Sequence, residues 1–170
     1  AVLPFVNISR DEADEYFADG LSEELLNVLA KIRGLRVASR TSAFHFKGRD
    51  VDIPTVAQKL NVATILEGSV RRSGTRVRIT AQLIDVATDS HLWSETYDRE
   101  LDDIFAVQDD IAQSVVKELR AALLGERIDA AAIAEARAEV DAAAAGRAEN
   151  AEAHRLHLQG RYFVDRMTRE

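Results

Sequence analysis

Apolar positions along the chain fall into stretches of two different periods. Residues 1–8 hold Val2, Leu3, Phe5, Val6 and Ile8, a short apolar run of the kind a buried strand shows. Pro4 cannot donate to a sheet ladder, so this strand is expected at an edge, or irregular at that point. Ser9 to Asp14 is polar and acidic and reads as a loop. Phe17, Leu21, Leu25, Val28 and Ile32 then recur at helical spacing until Gly34, which predicts a helix over 14–33. Leu35 to Ser39 reads as a short strand, and 40–51 as a loop or short turn. Asp52 before Ile53-Pro54 has the form of an N-cap with proline in the first turn. Val56, Ala57 and Leu60 extend it to a short helix ending near Asn61.

From residue 62 the period becomes two. Val62–Arg72 reads as a strand, Ser73-Gly74 as a hairpin, and Val77, Ile79, Ala81 and Leu83 as the buried side of a second strand. After the turn at Ala87–Ser90, residues His91–Arg99 form a third, which makes 62–99 an antiparallel meander. Ile104, Val107, Ile111, Val115 and Leu119 predict a long helix over 102–124, broken at Gly125. The Ala-rich stretch 129–148 has high helix propensity and few bulky apolar residues, which predicts an exposed or linking helix. Asn150 is placed to cap a last helix carrying Ala153, Leu156, Gly160 and Phe163. The predicted class is α/β (α+β). One mixed sheet of about five strands carries packed helices and a C-terminal helical tail. The predicted divisions are an αβ domain over 1–124, a helical linker over 125–149 and a helical region over 150–170.

Composition narrows the function classes. The chain has 170 residues, 46% apolar and 30% charged, enough for a real core. Its net charge is −7, which counts against nucleic acid as the main partner, because such binding rests on neutralising phosphates. The absence of cysteine removes disulfides, thiolate metal sites and thiol catalysis together. No apolar run reaches the ~18 residues of a membrane helix. The chain opens on a strand-like string with no signal peptide, so a piece of a longer protein is the expectation.

Candidate chemistry is sparse. The dispersed glycines form no phosphate-cradling motif, and Gly68-Ser69 is not a nucleophile elbow. His154 and His157 share a predicted helical face, but no third metal ligand accompanies them. Glu67 stands mid-strand beside Gly68, where a structural acid is favoured over a general base, because no matching acid or nucleophile is visible. It is either the buried partner of an arginine such as Arg40 or a solvent-facing residue. Arg71, Arg72, Arg76 and Arg78 surround the Ser73-Gly74 hairpin. They make either an anion- or partner-binding tip or a solvated edge that resists aggregation, and the second reading is favoured. Trp93 and Tyr97 share one strand face and are expected in the core. No cofactor, metal or catalytic residue is assigned.

Several strings resemble one family. They are Ala1-Val2-Leu3-Pro4-Phe5, Glu15-Tyr16-Phe17-Ala18-Asp19-Gly20-Leu21, Leu35–Ser42, Phe46-Lys47-Gly48, Leu66–Arg71, Arg76–Asp85, His91–Arg99 and Asp103–Asp109. Together they resemble the TolB-like (TolB amino-terminal-domain-like) module of bacterial multidomain proteins. There the module precedes tetratricopeptide repeats and follows an adenylate cyclase domain, a winged-helix domain, a kinase or membrane helices. Residues 150–170 resemble the approach to the first such repeat. The resemblance implies a non-catalytic protein-interaction or sensory role. The partners it implies are proteins, the chain's own repeats and an upstream output domain, with a membrane reached only through an upstream segment. It implies structural roles for Gly20, Gly48 and Gly68 in backbone geometry, for Trp93 and Tyr97 in the core, and for Arg40 with Glu67 as a buried pair. Two other readings stand beside it, the regulatory region of a class III adenylate cyclase and an oligomerisation module forming a homo-oligomer. The string Trp93–Asp103 resembles membrane-anchored members most, which favours the periplasm; direct fusion to a cyclase domain implies the cytoplasm.

Overall fold

The structure, a computed structural model, describes residues 1–9, 11, 14–124 and 130–145. The Gly125 boundary, the helix after Asn150, His154 and His157 lie outside the described residues. Strand β1 is Val6–Asn7, and helices α1, α2 and α3 are Glu15–Ala30, Arg40–Phe44 and Ile53–Leu60. Strands β2, β3 and β4 follow as Thr64–Ser73, Arg76–Asp85 and Ser90–Glu100. A 3-10 turn, Leu101–Asp103, leads into α4, Ile104–Leu124, and α5 is Ala130–Ala144.

The sheet order is β1-β2-β3-β4, with β1 parallel to β2 and the other pairs antiparallel. β1 is an edge strand, and Pro4 falls in the unladdered gap between it and the isolated bridge of Val2 to Leu66. Gly74 takes a left-handed φ of 63°, which lets the β2–β3 hairpin turn tightly. Alternation then sorts the side chains. Leu66, Val70, Val77, Ile79, Ala81, Leu83 and Tyr97 belong to the main core with α1 and α4. The other face is polar except at one end, where Ile65 packs with Val56 and Ala57 of α3.

α3 forms where the sequence predicts it. The Asp52 carboxylate accepts from the Thr55 amide at 2.7 Å, Pro54 sits in the first turn, and Asn61 ends the helix at φ 51°. The bond from Thr55 holds the Asp52 carboxyl below the usual carboxylate range.

Three expectations are corrected. Among the described residues the sheet has four strands rather than about five, because Leu35–Ser39 pairs with no strand there. Leu35 and Val37 still pack against the main core, so the segment satisfies its apolar residues without a ladder. Residues 40–44 form a helix rather than a loop, with Ser39 accepting from the Ser42 amide at its start. Lastly, the Ala-rich helix is not wholly exposed. Val140 and Ala143 of α5 are buried in the main core, and the Lys31 ammonium at the end of α1 donates to the Ala143 carbonyl at 2.7 Å.

Candidate functional site

The polar face of the sheet holds a cleft of about 630 Å³. Its floor comes from the middle of β2 and β3, where Glu67 lies opposite Gln82 and Ser69 opposite Thr80. One side is the chain from Leu3 to Asn7, including Val6, which is 62% exposed. The other side is built by Phe46 to Arg49, Val51, Ile53 and Val56, which follow α2 and open α3. A polar floor between partly apolar walls has the form of a small-molecule or peptide pocket.

The wall carrying Lys47 is clamped to α1. Glu15, Asp19 and Glu23 recur every four residues and so form one stripe along that helix. The Lys47 ammonium lies 2.6 Å and 2.7 Å from the two Asp19 oxygens and 2.7 Å from Glu15 Oε1. Arg40 reaches Glu23 at 3.0 Å and stacks over the Phe44 ring at 4.4 Å. Burial pushes the Asp19 carboxyl above its ordinary range, against the opposing pull of Lys47. Burial pushes the Lys47 ammonium down, but its bonds to Asp19 and Glu15 outweigh that and hold it above its ordinary value.

By alternation Gly68 falls on the core side of β2, with Leu66 and Val70, beneath the cleft floor. A Cβ there would meet the Thr80 carbonyl oxygen at 2.2 Å and the Phe5 ring at 2.6 Å. The Phe5 ring lies where a side chain at 68 would stand. Phe5 is itself fixed from behind, its amide donating to the buried Ser22 hydroxyl at 2.8 Å.

The residues singled out in the sequence separate into different places. Arg40 is paired with Glu23, whereas Glu67 lines the cleft floor, so the expected Arg40–Glu67 pair is replaced by Arg40–Glu23. Gly48 has φ +68°, a conformation that favours glycine, and Gly20 is buried within α1. Tyr97 is buried and donates to Glu95 at 2.8 Å, while Trp93 packs half-buried at the core's margin. Burial pushes the Tyr97 hydroxyl far above its usual range.

Three of the four hairpin arginines are engaged with carboxylates. Arg72 meets the buried Asp14 at 3.0 Å, Arg76 meets Glu100 at 3.6 Å, and Arg78 grips Asp98 with two bonds of 2.7 Å and 2.8 Å. Arg71 lies across the strands from Arg78 and is exposed. Charge pairs thus occupy Arg72, Arg76 and Arg78 at this tip. Sequence reasoning missed the clamp on Lys47 and the cleft beside it. The four-residue spacing of Glu15, Asp19 and Glu23 was the available signal.

Among the described residues, no group of three or more His, Asp or Glu side chains is placed to hold a metal ion, and no helix is long and apolar enough to cross a membrane. Against known families, residues 1–114 match the second domain of the HilA/YgeH-like transcriptional regulators. The chain belongs to that family. A curated relative, the putative adenylate cyclase 3 of Rhizobium meliloti (strain 1021), is 51% identical over 123 residues. That match takes in 72% of this chain and 21% of the relative, so the chain spans about a fifth of that protein's length. Among solved structures, TolB from Acinetobacter baumannii matches with a TM-score of 0.51 and 16% identity. The match covers 69% of this chain and 27% of that one. The domain thus has a TolB-like fold, as its sequence strings imply. Lipoprotein GNA1162 from Neisseria meningitidis is a looser likeness, with TM-score 0.48 and 22% identity over 58% of this chain and 77% of that one.

Proposed function

We propose that this member of the HilA/YgeH-like family is a non-catalytic regulatory module that binds a protein partner and couples it to an output domain through tetratricopeptide repeats. One observation carries the reading. Closely similar sequence lies within a putative adenylate cyclase, while the family itself is described by transcriptional regulators. A unit used beside two unrelated outputs acts on what they share, which is control rather than chemistry. The repeats and the division into an αβ unit over 1–124, a linker over 125–149 and a repeat region over 150–170 belong to this proposal, as does the regulatory role toward a cyclase. So does a periplasmic location, favoured by the likeness of Trp93–Asp103 to membrane-anchored TolB-like members.

The test uses the full-length protein that contains this chain, with residues 1–124 present or deleted. Cyclic nucleotide is measured for a cyclase output and promoter activity for a transcriptional one. The expected result is an output that persists after the deletion but no longer responds to growth conditions. An unchanged response would overturn the reading. Loss of all output is distinguished from misfolding by assaying the isolated output domain. Alkaline phosphatase fused after residue 124 tests the compartment, because it is active only outside the cytoplasm.

A further inference from the structure

The cleft on the polar sheet face holds two opposite charges that do not meet. Glu67 stands on the floor, half-buried, and Arg49 stands on the wall, exposed. Neither has a hydrogen bond or ion pair from its side chain among the described residues. The other charges of the cleft are committed, since Lys47 is held by Asp19 and Glu15. Residues facing Glu67 across the sheet are neutral: Gln82 directly opposite, then Ser94 beyond it on β4. Phe46, Val51, Ile53 and Val56 add apolar lining to the same cleft, and Val6 adds an exposed apolar step.

A ligand matching this lining has an apolar body, a cationic group and an anionic group. A purely cationic ligand would gain Glu67 but face Arg49, and a purely anionic one the reverse. The volume of about 630 Å³ lies within the range of small-molecule sites. We propose that this cleft binds an apolar zwitterion, an amino acid or short peptide whose ammonium meets Glu67 and whose carboxylate meets Arg49. Charge-assisted bonds fix the two ends, and the Phe46–Val56 wall covers the apolar body. Such a ligand gives the regulatory module an input. The site stands on the cleft alone, whatever output domain it serves.

The test is calorimetric titration of this chain with two probes, L-leucine and trileucine. Saturable binding of either supports the proposal, and the probe that binds more tightly assigns the source as free amino acid or peptide. Glu67→Gln and Arg49→Gln each weaken that binding by about tenfold or more, with an unchanged melting temperature. Hexylammonium and hexanoate, which carry one charge each, bind at least about tenfold more weakly. Three results would overturn the proposal. They are no saturable heat from either probe up to about 10 mM, binding indifferent to both substitutions, and hexylammonium or hexanoate binding as tightly as the zwitterions. These readouts report binding only, so their failure leaves the output experiment above intact.

Discussion

Lys47 and Asp19 meet at 2.6 Å across 28 residues of chain, and Glu15 completes the contact at 2.7 Å. One ammonium thus neutralises two carboxylates a helical turn apart on α1. It also ties the segment after α2 to that helix, and this segment is a wall of the cleft. Lys47→Met is expected to cost about 1–2 kcal/mol in urea unfolding. That is below the full cost of a buried pair, because both side chains keep some solvent. The loss depends on pH at both ends. Asp19 already has a raised pKa, and without Lys47 it rises further. As pH falls through that value the variant's Asp19 takes up a proton, so the gap between parent and variant closes in acid. The raised Lys47 pKa contributes stability fully below its unfolded value, and that stability is lost as pH rises through the folded one. Denaturation curves from acid to alkaline pH should show the gap widest near neutrality. A gap that is constant with pH would mean the contact is not electrostatic.

Gly68 tests the close approach of chain segments beneath the cleft. Gly68→Ala places a methyl group 2.2 Å from the Thr80 carbonyl oxygen, a backbone atom that cannot swing aside. The expected loss is about 3 kcal/mol. Truncating the other neighbour, as Phe5→Ala in the same background, should not restore stability, since the Thr80 contact remains. A Gly68→Ala protein as stable as its parent would show that β2 and β3 part easily here.

The parts of this fold that were legible in sequence are those governed by neighbours in the chain. The meander was readable because Val77, Ile79, Ala81 and Leu83 alternate and Gly74 marks the turn. α3 was readable because Asp52, Pro54 and Asn61 each act within one helical turn of themselves. Leu35–Ser39 misled because a short alternating string looks the same whether its backbone pairs with a strand or only docks its side chains. The site was less legible, since its contacts span long stretches of chain. Nothing local says that Lys47 returns to Asp19, or that Arg40 takes Glu23 instead of Glu67. The Ala-rich helix looked exposed because alanine carries little apolar signal, yet one face built from Val140 and Ala143 suffices to dock it.

That docking can be measured by hydrogen exchange. Val140→Ala removes buried apolar contact worth about 1.5 kcal/mol. Lys31→Met removes the bond that satisfies the Ala143 carbonyl near the helix end. Either change should speed exchange of the Ala130–Ala144 amides about tenfold, while the amides of β2 and β3 keep their protection. Equal acceleration everywhere would mean that α5 unfolds only with the whole domain. No acceleration would mean that these two contacts do not hold it.

Arg40 and Glu67 separate two assignments that sequence alone had joined. Glu23 is 7% exposed, and the Arg40 guanidinium beside it supplies positive charge at 3.0 Å. Arg40→Met removes that charge and the stacking over Phe44, so a loss of about 2 kcal/mol is expected. Glu23→Gln in the same background should recover part of it, because the amide does not need the counter-charge. Glu67 has no such role: it stands half-buried on the cleft floor opposite Gln82. Glu67→Gln should therefore change stability by no more than about 0.5 kcal/mol. The decisive comparison is the double-mutant cycle. Arg40 and Glu23 should couple by roughly 1 kcal/mol, and Arg40 and Glu67 by nothing beyond error. Measurable coupling between Arg40 and Glu67 would restore the pairing that the structure replaces, and would leave the cleft without its uncommitted carboxylate.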